Sequence, residues 1–222
     1  MQLSRLYAIA DKATLDAHGV SVANFARQLR DAGVMLLQYR DKLGGPLEVL
    51  RAAAEISTIF SSSRATLILN DRADLALLAG WGSVHVGQGD LTPEDAKRIF
   101  SLDGKLSPLR TSEREAHPLV GVSTHGDVQV AEANNGEADY VAVGPVFATS
   151  TKLNADPIVG LDGVRRARAL TTKPLVAIGG ITRQNVRSVM AAGADSVAVI
   201  GGLLVAGESV EKVARDFLEL LR

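Results

Sequence analysis

Three polar side chains alternate along the segment Gln38-Tyr39-Arg40-Asp41-Lys42. Alternate residues of an extended backbone point to the same side, so Gln38, Arg40 and Lys42 would share one surface. A planar guanidinium can bind two phosphate oxygens at once, and a lysine supplies a mobile positive charge. The pattern therefore indicates an anion-binding site, although an ordinary charged strand end has the same composition.

Two carboxylates, Asp71 and Asp90, each follow a short apolar run. Asp71 comes after Asn70, and either of these residues could instead cap a helix. Asp90 ends the segment Gly87–Asp90 and precedes the predicted helix cap Thr92, so capping explains it less well. Mg2+ prefers oxygen ligands and usually also takes water and substrate phosphate oxygens. Two carboxylates on neighbouring strands could therefore share one Mg2+.

Hydroxyl-rich and glycine-rich segments follow the later apolar runs. Ser123-Thr124-His125 has hydroxyls that could bind phosphate or cap a helix, and Thr149-Ser150-Thr151-Lys152 combines hydroxyls with a cation. Gly179-Gly180 and Gly201-Gly202 allow backbone N–H groups to approach an anion closely. His85 lies within an apolar run, and we interpret it as a hydrogen-bonded interior residue. The whole set predicts two anion sites, one suited to a pyrophosphate and one to a monophosphate.

Short apolar runs must position these residues. They are nearly continuous in hydrophobicity, as expected of parallel strands that are buried on both faces. The predicted strands are Leu6–Ala10, Met35–Tyr39, Thr66–Asn70, Ser83–Val86, Leu119–Ser123, Tyr140–Val143, Leu175–Ile178 and Val197–Ile200. Stretches with helical periodicity fill the gaps between them. These include Val22–Ala32, Pro46–Phe60, a helix from Pro93 capped by Thr92, Gln184–Ala191 capped by Thr182, and Val210–Leu221.

A strand–helix unit repeated about eight times in 222 residues favours a (β/α)8 TIM barrel, an α/β fold, as a single domain over residues 1–222. A doubly wound sheet would usually have fewer strands and a glycine-rich turn after its first strand, where this sequence has Ala10-Asp11-Lys12. Barrel enzymes carry their chemistry at the C-terminal ends of the strands, which is where the motifs above lie. The polar segment Ser101–Pro118 precedes a strand, so we expect it on the opposite face.

The composition excludes several classes of protein. The absence of cysteine excludes disulfides, thiolate catalysis and cysteine-based metal sites. A net charge of -1 leaves no basic field for nucleic acid or a membrane surface. No apolar run reaches the roughly 18–20 residues of a membrane span, and Met1–Asp11 lacks the features of a signal peptide. We therefore expect a cytoplasmic protein with small phosphorylated ligands as its partners; a homo-oligomer stays open.

These motifs, in this order, resemble the thiamine-phosphate synthase family over nearly the whole chain. The matching segments are residues 38–42, 70–71, 85–90, 121–125, 144–152 and 177–181. The resemblance implies a (β/α)8 fold and a Mg2+-dependent transfer. In that reaction a thiazole phosphate nitrogen attacks the methylene carbon of 4-amino-2-methyl-5-(diphosphooxymethyl)pyrimidine. Pyrophosphate leaves and a pyrimidinylmethyl cation forms, which the thiazole nitrogen then captures to give thiamine phosphate.

The resemblance also implies a role for each matched residue. The pyrimidine pyrophosphate would be bound by Gln38, Tyr39, Arg40, Asp41, Lys42, Asn70, Ser123 and Lys152. Of these, Arg40, Lys42 and Lys152 are the expected catalytic residues. The thiazole phosphate would be bound by Thr149, Ser150, Thr151, Gly180, Ile200 and Gly201, and Mg2+ by Asp71 and Asp90. Gly201 stands where the family usually has a hydroxyl residue, so one side-chain hydrogen bond to the thiazole phosphate is lost.

Two other functions remain open from the sequence. A thiazole tautomerase on a related barrel would share the Arg-Asp-Lys and Asn-Asp motifs, but that relative typically lacks the Gly-Gln-x-Asp turn that ends here at Asp90. A non-catalytic barrel that binds a phosphorylated ligand is compatible with Gly201 as a mark of a degenerate site. The complete set of carboxylates and lysines favours the synthase over both.

Overall fold

The computed structural model of the chain describes residues 3–102, 118–149 and 157–222. Parallel strands close into a barrel in sequence order, with the last strand paired to the first, which confirms the predicted (β/α)8 fold. The strands are β1 (Leu6–Asp11), β2 (Leu36–Arg40), β3 (Thr66–Asn70), β4 (Ser83–Val86), β5 (Leu119–Thr124), β6 (Tyr140–Val143), β7 (Leu175–Ile178) and β8 (Ser196–Val199). Each predicted strand is present within one residue at either end.

Helices cover the outside of the barrel. They are α1 (Lys12–Ala17), α2 (Val22–Ala32), α3 (Pro46–Ile59), α4 (Ala73–Leu78), α5 (Pro93–Phe100), α6 (Asp127–Asn135), α7 (Gly160–Leu170), α8 (Val186–Ala191) and α9 (Val210–Leu220), with a short 3-10 helix at Gly201–Leu203. Thr92 caps α5 as predicted, because its hydroxyl accepts from the Asp95 amide at 3.1 Å. The helix predicted from Gln184 begins only at Val186, because Asn185 Oδ1 accepts from the Thr182 amide and holds a turn there.

The strands separate two apolar layers. On β1, Leu6, Ala8 and Ala10 face the helices, while Tyr7 and Ile9 face the barrel interior. The same alternation runs through the other strands, since successive side chains of a strand point to opposite faces. Interior residues near the C-terminal ends of the strands therefore form the floor of any ligand site at that end of the barrel.

One interior contact depends on the absence of a side chain. Gly121 on β5 is the register partner of Tyr140 on β6. A Cβ atom at position 121 would lie 1.9 Å from Cζ of Tyr140, so only glycine leaves room for this ring. The Tyr140 ring is fully buried, and its hydroxyl reaches the middle of the barrel.

Parts of two predictions fall outside the described residues. The segment Ser101–Pro118, expected on the face opposite the site, is described only at its ends. The predicted anion loop at residues 149–152 is described only at Thr149. Within the described part of the chain, no helix is both long enough and apolar enough to cross a membrane.

Candidate active site

A cavity of about 770 Å³ opens at the C-terminal ends of the strands. Small-molecule sites usually have volumes of about 300–1,000 Å³, and barrel enzymes carry their chemistry at this end. The predicted site residues that line it are Gln38, Arg40, Lys42, Asn70, Asp71, Asp90, Ser123, Thr149, Gly180, Ile200 and Gly201. Sequence motifs that are far apart along the chain therefore meet around one cavity.

The end of β2 divides its side chains between two sides, as the alternation predicts. Gln38, Arg40 and Lys42 line the cavity. Tyr39 instead packs against the helices, and its hydroxyl donates to Asp41 Oδ2 at 3.2 Å. Asp41 Oδ1 accepts from two backbone N–H groups of the following loop, at 3.1 and 2.8 Å. Neither side chain lines this cavity; they shape the loop that carries Lys42, and their part in substrate binding stays a prediction.

The Arg40 guanidinium is held by a carboxylate that the sequence analysis did not single out. Asp11 ends β1, its side chain is only 3% exposed, and its Oδ2 forms an ion pair with Arg40 Nη1. Its Oδ1 accepts from the Thr14 amide at 2.9 Å and hydroxyl at 2.6 Å, which caps α1. The available signal was a carboxylate two residues after the interior residue Ile9, on the same face of β1. Asp11 thus holds Arg40 at the cavity.

The two predicted metal ligands are close neighbours. Asp71 follows β3 with a left-handed φ of 61°, and its carboxylate forms an ion pair with Lys42. Burial raises the pKa of the Asp71 carboxyl above its usual value, Lys42 opposes that rise, and the adjacent Asp90 carboxylate adds to it. The nearby Asp90 carboxylate disfavours ionisation of Asp71, so a cation between them would relieve this repulsion.

The carboxylate pair suits Mg2+ better than it suits a metal ion whose ligands all come from the protein. Among the described residues, no group of three or more His, Asp or Glu side chains gathers in metal-binding geometry. Mg2+ is commonly bound by one or two carboxylates, with water and substrate phosphate completing its shell. Asp90 also has a structural contact, because its Oδ2 accepts from the Gly87 amide at 2.9 Å and closes a turn. Asp71 and Asp90 can therefore hold Mg2+ when a phosphorylated substrate supplies the remaining oxygens.

Glycine loops form the opposite side of the cavity. Gly179 and Gly180, after β7, have left-handed φ values of 102° and 65°. A Cβ atom at Gly180 would lie 2.5 Å from the Ala148 carbonyl oxygen, so this loop packs closely on the segment leading to Thr149. After β8, Gly201 begins the short 3-10 helix. Backbone N–H groups in such loops are typical phosphate ligands of barrels.

Ion pairs fasten the loop after β7 to the outer helix α9. Arg183 donates to Glu208 at 3.1 Å and is also paired with Asp216. Lys212, one turn along α9, contacts the same two carboxylates at 2.6 and 3.0 Å. Arg183 and then Lys212 lower the pKa of Glu208 to about 2. The glycine loops are therefore anchored from outside the cavity.

His85 is an interior residue, as interpreted from the sequence. Its Nδ1 lies 2.9 Å from the Tyr140 hydroxyl and its Nε2 lies 2.8 Å from Ser123 Oγ. Burial lowers the pKa of His85 to about 4. The ring is consequently neutral at physiological pH, and it holds the Ser123 hydroxyl at the cavity floor.

Some residues were missed and others cannot be located. Gln88 lines the cavity and donates to the Ser123 carbonyl at 2.6 Å, although the sequence analysis gave it no role. His125 also lines it, with Nδ1 2.8 Å from the Gly144 carbonyl oxygen. The predicted residues Ser150, Thr151 and Lys152 lie outside the described part of the chain. Their binding roles stay predictions.

Comparison with known sequences gives the family. The family model described as thiamine monophosphate synthase matches residues 6–203. The chain belongs to this family. Among similar proteins, the thiamine-phosphate synthase of Koribacter versatilis is 46% identical over 226 residues, covering 100% of this chain and 97% of that protein. The thiamine-phosphate synthase of Methanoregula boonei is 41% identical over 214 residues, covering 96% and 91% respectively.

A solved structure supports the same assignment to the thiamine monophosphate synthase family. Thiamine phosphate pyrophosphorylase from Pyrococcus furiosus superposes with a TM-score of 0.81 and 26% sequence identity. The alignment covers 98% of this chain and 95% of that structure. The resemblance noted from the motifs is thus confirmed over the whole barrel.

Proposed function

We propose that this chain transfers the pyrimidinylmethyl group of 4-amino-2-methyl-5-(diphosphooxymethyl)pyrimidine to a thiazole phosphate in a Mg2+-dependent reaction. Family membership makes it a transferase of thiamine biosynthesis. The observation that carries the finer proposal is that Arg40, Lys42 and the Asp71–Asp90 pair share one cavity with the glycine loops. A pyrophosphate and a monophosphate could therefore be bound facing each other.

The chemistry requires charge stabilisation rather than proton transfer. The bond between the methylene carbon and the pyrophosphate oxygen breaks, and its electron pair leaves with pyrophosphate. The lone pair of the thiazole nitrogen forms the new carbon–nitrogen bond. That nitrogen carries no proton, so the step needs no general base. Preorganised positive charge beside the leaving group lowers the barrier, because negative charge builds up there.

Two contacts support that role for Arg40 and Lys42. Arg40 is fixed by Asp11, which leaves the remaining guanidinium N–H groups for phosphate oxygens. Lys42 bridges from its loop to Asp71, so it lies between the anion site and the carboxylate pair. Bound at Asp71 and Asp90, Mg2+ would supply Lewis-acid stabilisation of the leaving pyrophosphate. Lys152, predicted from the sequence to bind the same pyrophosphate, would add a further positive charge.

The thiazole phosphate would be bound by the glycine side of the cavity. Gly180, Gly201 and Thr149 line that wall, and the backbone N–H groups of the two glycines would bind the phosphate. Neutral donors suit this phosphate, since its charge does not change during the reaction. The two anion sites thus differ in chemistry: charged groups bind the leaving group, and backbone amides bind the nucleophile's phosphate.

The direct test incubates purified protein with both substrates, with and without Mg2+, and measures thiamine phosphate and pyrophosphate. We expect both products in equal amounts only when Mg2+ is present. Product formation without Mg2+ would contradict the metal dependence. Isomerisation of a thiazole phosphate, without any use of the pyrimidine substrate, would instead indicate the tautomerase.

Asp90→Asn tests the metal assignment more sharply than removal of the whole side chain. The amide keeps an acceptor for the Gly87 N–H and removes one negative charge from the metal site. We expect turnover to fall about 100-fold and the Mg2+ requirement to rise, since metal stabilisation is worth several kcal/mol. Asp95→Asn, in the first turn of α5, is the matched control. Similar losses of turnover in Asp90→Asn and Asp95→Asn would contradict the assignment of Asp90 to the metal site.

A further inference from the structure

Five side chains form a continuous row of hydrogen bonds through the barrel interior. Gln38 Nε2 lies 2.8 Å from the Tyr7 hydroxyl, which lies 2.9 Å from the Tyr140 hydroxyl. From Tyr140 the row continues to His85 at 2.9 Å and to Ser123 at 2.8 Å. It begins on β2 and ends on β5. Both of its ends, Gln38 and Ser123, line the cavity, and so do Tyr7 and His85.

The row has a direction, because a phenol has one proton to donate. Gln38 Nε2 donates to the Tyr7 hydroxyl. When Tyr7 uses its own proton within the row, that proton goes to Tyr140. The Tyr140 proton is then directed to Nδ1 of His85, which is neutral. In this direction His85 carries its proton on Nε2 and donates it to Ser123 Oγ. The opposite direction requires the Gln38 amide to be turned over and His85 to adopt its other neutral tautomer.

The direction decides what the cavity meets at each end of the row. In the first direction, Gln38 keeps its carbonyl oxygen and one N–H for the cavity, and Ser123 keeps its own hydroxyl proton. In the opposite direction, Gln38 would present two N–H donors, and Ser123 would present an acceptor. Gln38 and Ser123 are thus linked although their strands, β2 and β5, are not neighbours in the barrel.

The interior row is already complete without a ligand. Tyr7 is 1% exposed, Gln38 2% and Tyr140 0%. Among the described residues, no buried side-chain nitrogen or oxygen lacks a hydrogen-bond partner. A buried polar group without a partner is costly, so reversal of one link would force reversal of the rest. The pattern of donors and acceptors at the cavity floor is consequently set before substrate arrives.

We propose that Tyr7 and Tyr140 are positioning residues for the transfer reaction, which fix the hydrogen-bonding direction of Gln38 and Ser123 toward the pyrimidine. This inference rests on the proposed function. An aminopyrimidine presents an N–H donor beside a ring nitrogen acceptor, and it is matched by a carboxamide in only one orientation. A correctly directed Gln38 distinguishes such a ring from one with the opposite pattern.

The kinetic test compares Tyr7→Phe, Tyr140→Phe and the double variant. Each substitution keeps the ring and removes one link. We expect KM for the pyrimidine pyrophosphate to rise about tenfold in each single variant, as for loss of one buried hydrogen bond. KM for the thiazole phosphate should remain within about twofold, because that substrate is bound by the glycine side. The double variant should be no worse than the more affected single variant, since one break already interrupts the row.

A second readout needs no substrate. The 15N chemical shifts of His85 report which ring nitrogen carries the proton. We expect a single neutral tautomer in the wild type and a shift of the tautomer population in Tyr7→Phe. Among the described residues Tyr7 makes no hydrogen bond to His85, so a merely local structural role of Tyr7 would leave this population unchanged. A change therefore measures transmission along the row.

Ser196→Ala is the matched control. It removes a buried hydroxyl whose hydrogen bond to the Ser4 carbonyl lies at the opposite end of the barrel. We expect wild-type KM values and an unchanged His85 tautomer in this variant. The inference is overturned if the two tyrosine variants have additive effects, if both KM values rise equally, or if Tyr7→Phe leaves the tautomer unchanged. Failure of the wild type to form thiamine phosphate would instead overturn the proposed function, and the tautomer test would stand.

Discussion

Gly201 and Gly202 are adjacent in sequence but have different surroundings. A Cβ atom at Gly202 would lie 2.4 Å from the Ile181 carbonyl oxygen, whereas one at Gly201 would meet no atom within 4 Å. Gly201 is also absent from the glycines with left-handed φ. A side chain can therefore be added at position 201 without strain. A hydroxyl residue, which the family resemblance predicts at this position, would fit.

Gly201→Ser should therefore improve binding of the thiazole phosphate. One extra hydrogen bond to a charged group is worth about 1.5–3 kcal/mol in good geometry, so we expect KM for that substrate to fall roughly tenfold. KM for the pyrimidine pyrophosphate should not change. Gly201→Ala, which adds the Cβ without the hydroxyl, should behave like the wild type in steady-state kinetics. Equal weakening by both variants would show that the loop does not tolerate a side chain.

Asp11 offers a second test at the residue scale. Asp11→Asn retains an oxygen that can cap α1 and removes the charge that pairs with Arg40. We expect KM for the pyrimidine pyrophosphate to rise roughly tenfold, in the range for a charge-assisted hydrogen bond, with little change in Tm. Thr14→Val is the control, because it removes only the hydroxyl contact with Asp11. A loss of Tm without a change in KM would assign Asp11 to the helix cap alone.

Single residues were predicted best where strand alternation fixed their direction. Arg40 and Lys42 face the cavity because they are two and four residues from Gln38. The motif included Tyr39 and Asp41, but the same alternation places them on the outer side. Asp11 was missed because its significance depends on Arg40, a partner 29 residues away that local sequence does not reveal.

At the scale of elements, the loop after β7 is fitted against the loop after β6. Gly180 has a φ of 65°, and a Cβ atom there would lie 2.5 Å from the Ala148 carbonyl oxygen. We expect Gly180→Ala to raise KM for the thiazole phosphate and lower Tm, because both the backbone conformation and the contact are disturbed. The rise in KM should exceed that for the pyrimidine substrate.

Gly19→Ala is the control that separates these two causes. Gly19 has a nearly equal φ of 64°, but an added Cβ there would meet no atom within 4 Å. It lies between α1 and α2, before β2 begins. We expect a smaller loss of Tm and unchanged kinetics. If Gly180→Ala lowers Tm no more than Gly19→Ala does, the contact with Ala148 does not contribute.

The strands could be predicted from the sequence because parallel strands buried on both faces are continuous apolar runs. Helix bounds were less predictable, since they depend on which side chain accepts a hydrogen bond from a backbone amide. The α1 helix was missed because it is short and is capped by Asp11, the residue that also binds Arg40. The α8 helix begins late because Asn185 holds the turn before it.

For the whole molecule, His85 links stability to pH. Its pKa is about 4 in the folded protein, where burial disfavours the charged ring, and near 6.5 in the unfolded chain. Between these values the unfolded state binds more protons, so the free energy of unfolding decreases as pH falls. The contribution is complete above about pH 6.5 and is lost progressively as pH falls toward 4.

Urea unfolding of the wild type and His85→Gln between pH 4 and 7 would measure this contribution. The difference between the two proteins cancels the carboxyl groups that they share, including Asp71. We expect that difference to shrink steadily as pH falls below about 6.5. The control is His18→Gln, which changes an exposed histidine. A difference that is constant with pH would show that His85 is equally protonated in both states.

The contact between Gly121 and Tyr140 also restricts the order in which this sequence can change during evolution. Any larger residue at position 121 collides with the ring, so that substitution is accessible only after position 140 has become small. A protein with a small residue at position 140 and Gly121 unchanged would fold around a cavity. A protein with Tyr140 unchanged and a larger residue at position 121 would not pack. We therefore expect sign epistasis: Gly121→Ala should abolish soluble expression alone and be rescued by Tyr140→Leu. The rescued protein would regain its fold but have lost the central hydroxyl of the barrel.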